Sequence, residues 1–266
     1  MKKIILLIIV FSCGFMFAQG GKNDPLFVVD TENSDKDTII KMIYASYTFD
    51  KNDITMDIAT ETIKYCEEAI VEICNYFNLD EKQYHNVFRY YLLGPSNGLA
   101  SWECDGEITI YNVPDRKSSY YHETVHGVLG DSSNLWLMEG IADYLDDINT
   151  KYPLNIKGGR ALDEISKSYI LKGDKYRNSF PLIFDEKESI DDATELTVQS
   201  FYLYSASFVC YLLKIMSPQE FLEVYRSTDY KSDLKRITGH SFKNLKYRWL
   251  KSIGLSIYQI LVYKLL

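Results

Sequence analysis

The chain has 266 residues, of which 46% are hydrophobic and 25% charged, and this composition is typical of a globular protein with one sizeable domain. Its formal net charge is −8, and it contains no run rich in lysine and arginine. An acidic protein of this kind repels phosphate backbones, which argues against nucleic-acid binding.

The first 20 residues have the pattern of a secretory signal. Lys2 and Lys3 precede an apolar run that ends in small residues at 18–20. A transmembrane anchor needs about 20 apolar residues, and this stretch is shorter and interrupted. We therefore expect an exported protein, secreted or periplasmic, with no stable membrane span. Lipoprotein anchoring at Cys13 is an alternative, because residues 10–13 weakly resemble a lipoprotein cleavage box.

The N-terminal half of the remaining chain predicts a small sheet and one long helix. Residues 21–38 are polar and are expected to be flexible, and Asp53 is placed to cap a helix over 54–77. Asp105-Gly106 is a hairpin-type turn between two short strands. The predicted strands cover residues 39–48, 87–93, 99–102 and 107–111.

Helices dominate the C-terminal half. Residues 150–198 are irregular apart from one short helix, and residues 255–266 form an apolar helical tail. The predicted helices cover residues 118–129, 135–148, 162–171 and 198–216, followed by one opened by Pro218 and one carrying Trp249. The sequence therefore predicts an α+β fold, with a small β-sheet followed by a mainly helical half.

Four cysteines remain after the signal. Cys66 and Cys74 lie eight residues apart on one predicted helix, about 12 Å along its axis, which is too far for a direct disulfide. A disulfide would have to join one of them to Cys104 or Cys210, and buried free thiols are the alternative. No Cys-x-x-Cys pair is present, so a cysteine-ligated zinc finger is not expected.

The most informative motif is His-Glu-x-x-His at residues 122–126. On a helix, His122 and His126 lie four residues apart on one face, so both imidazoles can bind one metal ion. Glu123 is then placed to take a proton from a metal-bound water. Hydrolytic zinc sites use three protein ligands and leave a fourth position for water, so a third ligand is required.

Glu139, on the following predicted helix, is the candidate third ligand. The two helices are joined by a short turn, so they can pack antiparallel with their ends close together. Asp143 lies one turn after Glu139 and is the candidate carboxylate that accepts the other ring hydrogen of His122. A glycine within a helix lowers its stability, so Gly140 is expected to be there because another backbone approaches closely. We predict one Zn²⁺ per chain.

These residues resemble those of a known family, the gluzincin zinc metallopeptidases, and in particular its small peptidase MA-like members. The match is specific over residues 118–148 and weaker over 40–254. It consists of the His-Glu-x-x-His motif followed by Trp136-Leu137-x-Glu139-Gly140-x-Ala142-x-Tyr144. The resemblance implies a zincin-like peptidase domain over residues 39–254, with the active-site helix between the sheet and the helical half.

The resemblance also implies roles for residues outside the motif. Gly106, Glu107 and Ile108 resemble the family's edge strand, which pairs with an extended substrate. Tyr202 matches the tyrosine that stabilises the oxyanion on a downstream helix, with Tyr204 as the alternative. The aminopeptidase signature Gly-x-Met-Glu-Asn is absent, so the resemblance implies an endopeptidase.

The sequence thus predicts an exported zinc peptidase that acts on peptides or proteins. One alternative is a catalytically inactive module of the same fold that binds extended peptides at the cell surface. A second alternative is a structural protein anchored to the membrane through an acylated Cys13.

Overall fold

The computed structural model describes residues 30–33, 37–97, 99–151, 161–172 and 195–263. The predicted signal segment 1–20, with Cys13, lies outside the described residues, as do most of the irregular segment 150–198 and the end of the predicted tail. Within the described ranges, no helix combines the length and the apolar character that a membrane crossing requires.

In the part of the chain that the structure describes, six strands form one mixed sheet. The middle strands β3, β4 and β6 run parallel to one another, and the outer strands β1, β2 and β5 pair antiparallel with their neighbours. The order across the sheet is β1-β2-β3-β4-β6-β5. The strands are β1 (Asp30–Asn33), β2 (Asp37–Lys41), β3 (Ala45–Asp50), β4 (Phe88–Leu92), β5 (Trp102–Cys104) and β6 (Glu107–Ile110).

The N-terminal strands differ from the prediction. The single strand predicted over 39–48 is two antiparallel strands, because the chain turns between them and the Met42 amide donates to the Ala45 carbonyl at 2.8 Å. No glycine, proline, asparagine or aspartate marks this turn, so the sequence carries no turn signal there. Residues 30–33 and 37–38, predicted to be flexible, also lie in strands.

The predicted hairpin at Asp105-Gly106 is confirmed. Asp105 and Gly106 both have positive φ, at 51° and 79°, as a tight two-residue turn between twisted strands requires. β5 and β6 pair antiparallel on either side of the turn. The outer strand of this hairpin is Trp102–Cys104, three residues later than the predicted start at residue 99.

The described part of the chain contains nine helices, of which eight lie within a few residues of predicted positions and one, Tyr230–Thr238, was not predicted. The N-cap of α1 is Thr55, so the prediction that Asp53 caps this helix is wrong. The helices are α1 (Met56–Phe77), α2 (Tyr120–Leu129), α3 (Leu135–Asn149), α4 (Leu162–Lys172), α5 (Glu195–Leu213), α6 (Pro218–Tyr225), α7 (Tyr230–Thr238), α8 (Phe242–Ser252) and α9 (Ile257–Val262).

The layers confirm an α+β fold with a small N-terminal sheet and a mainly helical remainder. α2 lies between the two parts: it contacts β5 and β6 on one side and α3 on the other, and α3 packs along α5. A buried aromatic cluster around Trp136, Phe208 and Trp249 joins α3, α5 and α8. This arrangement fixes α3 relative to α2, which is what the site requires.

Gly140 is the point of closest approach between α3 and α5. A Cβ atom built there would lie 2.8 Å from the carbonyl carbon and oxygen of Ser205 and from Cγ2 of Val209. Real Cβ atoms essentially never approach that closely, so the packing excludes any side chain. The prediction that Gly140 permits another backbone to approach is confirmed.

The four cysteines in the described part of the chain are free thiols. Cys66 and Cys74 are buried, Cys210 is half-buried, and Cys104 is exposed on β5. The structure therefore agrees with the free-thiol alternative and shows no disulfide among them.

Candidate metal centre

Helix α2 is anchored to the sheet by the face opposite its histidines. The hydroxyls of Thr124 and Tyr90 lie 2.8 Å apart in a hydrogen bond, and the Tyr90 ring stacks on Tyr47 in the adjacent strand. Thr124 also donates to the Tyr120 carbonyl at 2.6 Å. These buried contacts fix the rotation of α2, so His122 and His126 are directed away from the sheet and toward α3.

The structure brings the three predicted ligand atoms together. Nε2 of His122 and Nε2 of His126 lie 3.0 Å apart. Oε2 of Glu139 lies 3.3 Å from the first nitrogen and 3.5 Å from the second. The three atoms form a nearly equilateral triangle that joins α2 to α3.

The triangle has the dimensions that a tetrahedral zinc site requires. Bonds of about 2.0–2.1 Å at tetrahedral angles place ligand atoms about 3.3–3.4 Å apart. Glu139 is only 8% exposed, and its Oε2 makes no hydrogen bond. A buried carboxylate oxygen that has no hydrogen-bond donor apart from these two imidazoles is costly, and a cation between the three atoms would satisfy it. The residues present therefore fit a zinc ion.

Glu123 is a second carboxylate near the histidines. One of its oxygens and the ring nitrogens of His122 and His126 lie within 4.8 Å of one another, so these three residues alone form a group that could hold a metal ion. The shorter distances from Glu139 favour Glu139 as the ligand. Glu123 is then left to act as a base, as the motif predicts.

Asp143 contacts His122 as its position on α3 suggests. Its Oδ1 lies 3.0 Å from Nδ1 of His122, the ring nitrogen that faces away from the triangle. If Nδ1 carries the hydrogen, Nε2 presents its lone pair to the triangle, which is the tautomer that a metal ligand needs.

The carboxylates dominate the electrostatics of the triangle. Burial lowers the pKa of His122, but Asp143, Glu139 and Glu123 outweigh it and raise that pKa well above its usual value. Burial raises the pKa of Glu139, but the two imidazoles outweigh it and lower the pKa to about 2. The site therefore attracts positive charge, whether a proton or a metal cation.

Glu123 is held in place by Ser119, which sequence reasoning did not identify. Ser119 is the N-cap of α2, and its hydroxyl donates to Oε1 of Glu123 at 3.2 Å. Burial raises the pKa of Glu123, Glu139 adds to that effect, and the two histidines oppose it. The sequence could have indicated this contact, because Ser119 lies one turn before Glu123 on the same helix face.

The structure separates the two tyrosine candidates. Tyr202 lines the cleft that contains the triangle, with its ring centroid 6.2 Å from that of His122. Burial, Glu139 and Asp143 raise the pKa of Tyr202, so its hydroxyl stays protonated and can donate a hydrogen bond. Tyr204 is fully buried in the core, so it does not reach the cleft.

The predicted edge strand is not at the edge. Ile108 and Glu107 lie in β6, which pairs with β4 on one side and β5 on the other, and Gly106 lies in the hairpin turn. The sheet ends at β5 on this side, so the outer side of β5 is an open edge among the described strands. The hairpin turn was the signal that could have shown which of the two strands is outermost.

The triangle opens into a cleft of about 630 Å³. One wall is formed by residues 99–103, which lead into and form β5, and another by α3 and by Tyr202 of α5. The cleft therefore places the three ligand atoms, Glu123 and residues of β5 around one space. An arrangement of this kind can bind a cation and an extended chain side by side.

Comparisons with known proteins find similar solved structures but no related sequence. No family model matches the chain, and no curated protein matches it. A crystal structure of an M1 zinc metallopeptidase from Deinococcus radiodurans is similar at 15% identity and a TM-score of 0.39. The likeness covers 84% of this chain and 48% of that one, so the chain spans about half the length of its neighbour. We infer nothing about the site from a likeness at this level.

Proposed function

We propose that the protein is a zinc-dependent peptidase, with zinc bound by His122, His126 and Glu139. The observation that carries this proposal is the triangle of 3.0, 3.3 and 3.5 Å between their ligand atoms, next to the buried carboxylate of Glu123. A bound zinc ion would supply Lewis acidity and lower the pKa of a coordinated water to about 7.

Glu123 is the proposed general base. It accepts a proton from the attacking water and then delivers that proton to the leaving amine. Its hydrogen bond from Ser119 fixes the carboxylate, so the base does not have to be oriented during the reaction. Tyr202, protonated in the cleft wall, is the proposed donor to the oxyanion that forms as the peptide carbonyl is attacked.

The open side of β5 is the proposed binding site for the substrate backbone, in place of the predicted Gly106–Ile108 segment. An open strand edge offers unpaired backbone donors and acceptors to an extended peptide. Ser101, Trp102 and Glu103 line the cleft beside the triangle. A peptide paired with β5 would run along the cleft as an added strand, which suits cleavage within a chain.

Hydrolysis by the zinc-loaded protein and by Glu123→Gln tests this proposal. The substitution keeps the size of the side chain and removes the base, so we expect loss of peptide hydrolysis with zinc retained. Glu164→Gln is the matched control, because Glu164 is exposed on α4 outside the cleft lining. Equal rates for Glu123→Gln and the parent would show that the mechanism is wrong.

The same experiment separates the binding-module alternative. That alternative predicts that the parent binds peptides without hydrolysing them and that Glu123→Gln binds them equally well. Export is also part of the proposal, and the mass of the mature N-terminus tests it. A free N-terminus near Gln19 agrees with cleavage of a signal, whereas a lipid on Cys13 would show membrane anchoring.

A further inference from the structure

A cluster of large apolar side chains is exposed on α9. Four of the six residues of this helix are between 52% and 73% exposed: Ile257, Tyr258, Leu261 and Val262. Their spacing of one and four residues places them on one face of the helix. The other face holds α9 to the protein through Ile260, which is fully buried. A contiguous apolar cluster on a folded surface indicates an interaction site.

The three C-terminal helices also carry a large positive charge. Residues 230–263 contain seven lysine and arginine residues and one acidic residue, a net charge of +6, although the whole chain carries −8. The rest of the chain therefore carries −14. The basic residues are spaced along α7 and α8, so no contiguous run of them stands out in the sequence. This division of charge within one chain favours an anionic partner for the C-terminal helices.

The basic side chains of α8 lie on its outer face. Lys243, Arg248 and Lys251 are exposed, whereas Leu245 and Trp249 are fully buried on the inner face. The helix is therefore amphipathic, with an apolar side that packs on the protein and a basic side that faces solvent.

α7 extends the basic surface beside α8. Lys235 is exposed on α7, whereas Arg236 forms ion pairs with Asp233 and Glu223 and so contributes little net charge. α8 contacts both α7 and α9. The basic side chains and the apolar cluster therefore belong to one continuous group of helices.

We propose that α7, α8 and α9 bind an anionic lipid surface. The apolar face of α9 inserts at the boundary between headgroups and acyl chains, and the basic side chains of α7 and α8 contact the lipid phosphates. This peripheral binding is separate from the metal centre, so it does not rest on the proposed peptidase function.

Two other occupants match only half of this surface. A nucleic acid would match the charge, but it would not bury the aliphatic side chains of α9. A second copy of the chain would cover the apolar face, but a two-fold interface would place positive charge against positive charge. An anionic lipid surface accounts for the apolar and the basic side chains together.

Co-sedimentation of the purified protein with lipid vesicles tests this inference. One set of vesicles is phosphatidylcholine alone, and the other also contains roughly 30% phosphatidylglycerol, which is anionic. At about 0.1 M salt, we expect the anionic vesicles to be bound at least about tenfold more tightly than the neutral ones. In about 0.5 M salt most of this difference should disappear, because exposed charges are screened.

Two variants separate the contributions of charge and apolar surface. Lys243→Gln/Arg248→Gln/Lys251→Gln should weaken binding to anionic vesicles at least about tenfold, since each basic residue near the surface contributes roughly fivefold. Ile257→Ser/Leu261→Ser should also weaken it at least about tenfold, because two aliphatic side chains no longer insert. All five positions are exposed, so the free energy of unfolding in urea should stay close to that of the parent.

Matched controls change equally exposed positions on other elements. Lys51→Gln/Lys64→Gln/Lys82→Gln removes the same charge, and Met56→Ser/Val87→Ser removes two exposed apolar side chains. Both controls should bind anionic vesicles within about threefold of the parent, because these side chains do not face the lipid in the proposed orientation.

The contrary outcomes identify the other occupants. A protein that does not bind anionic vesicles, or an equal loss in the test and control variants, overturns the inference. So does equal binding to both kinds of vesicle that no substitution on α8 or α9 changes, which would show attachment through the signal segment or a lipid on Cys13. Without vesicle binding, a dimer abolished by Ile257→Ser/Leu261→Ser would assign α9 to a second copy, and salt-sensitive binding to an oligonucleotide would assign α7 and α8 to nucleic acid.

Discussion

Replacing Gly140 with alanine should destabilise the protein and disturb the metal centre together. The new Cβ would lie 2.8 Å from backbone atoms of Ser205, whereas ordinary contacts begin at 3.4 Å, so α3 and α5 must separate by about 0.6 Å. Overpacking of this kind costs about 1–3 kcal/mol, and alanine returns about 0.8–1.0 kcal/mol through its helix propensity. Because backbone atoms cannot move aside as side chains can, we expect the free energy of unfolding to fall by a net of about 1–2 kcal/mol.

Urea unfolding measures this change, and zinc affinity measures its effect on the adjacent Glu139. Gly127→Ala is the comparison, because a Cβ there meets only side-chain atoms of Phe88 and Ile108, at 3.1 and 3.2 Å, and these can move. We expect Gly127→Ala to stay within about 1 kcal/mol of the parent. If Gly140→Ala is instead stabilised by about 0.8–1.0 kcal/mol, as an unconstrained helical glycine would be, the packing of α3 on α5 is wrong.

Three further substitutions test individual residues. Asp143→Asn, which removes the charge beside His122, should weaken zinc binding about 10–100-fold in a chelator competition assay. Tyr202→Phe should lower kcat about 10²–10³-fold with zinc retained, whereas the buried control Tyr204→Phe should keep its kcat. Burial raises the pKa of Glu67 although hydrogen bonds from its neighbours oppose this, so the folded state holds its proton more tightly than the unfolded state. The tighter proton binding stabilises the folded state at pH values below the unfolded-state pKa of about 4.3. This stabilisation is lost as the pH rises through the pKa of Glu67 in the folded state. In urea unfolding, the free energy of unfolding of Glu67→Gln should therefore increase relative to that of the parent as the pH rises from 4 to 7.

Each of these expectations has a contrary outcome. Zinc affinity unchanged in Asp143→Asn would mean that its contact with His122 does not orient the ring. A fall in kcat for Tyr204→Phe equal to that for Tyr202→Phe would point to a general effect on α5 packing. A difference in free energy of unfolding between Glu67→Gln and the parent that is constant with pH would show that burial does not perturb this carboxyl group.

The helical part of the fold was predictable because its signals are local. Ser217 and Pro218 open α6 as a capping box with Glu220, and the helices over 120–129 and 135–149 match their predicted limits within two residues. Gly140 was informative for the same reason, since an unfavourable residue within a helix indicates a close contact.

The arrangement of the strands was harder to predict because strand order depends on pairing between distant segments. The turn between β2 and β3 contains only Met42, Ile43 and Tyr44, none of which favours a turn. The order of β5 and β6 follows from which of them pairs with β4, a contact that no local pattern records. The predicted open edge was therefore placed on the inner strand of a correctly predicted hairpin.

The candidate site likewise combines features that local spacing predicts with features that only the structure reveals. The positions of His122, His126 and Glu139 followed from helical spacing, and the contact of Asp143 with His122 followed from one further turn of α3. The choice between Tyr202 and Tyr204 required the structure, because two residues on one helix face different sides and only packing decides which side is the cleft.

Zinc content is the measurement that tests the central claim most directly. We would measure bound zinc in the purified protein, in Glu139→Ala and in the control Glu164→Gln. The proposed centre predicts about one zinc per chain in the parent and the control, with zinc lost or its affinity greatly reduced in Glu139→Ala. A parent that binds no zinc after reconstitution, or a Glu139→Ala variant that binds it as tightly as the parent, would contradict the three-ligand centre.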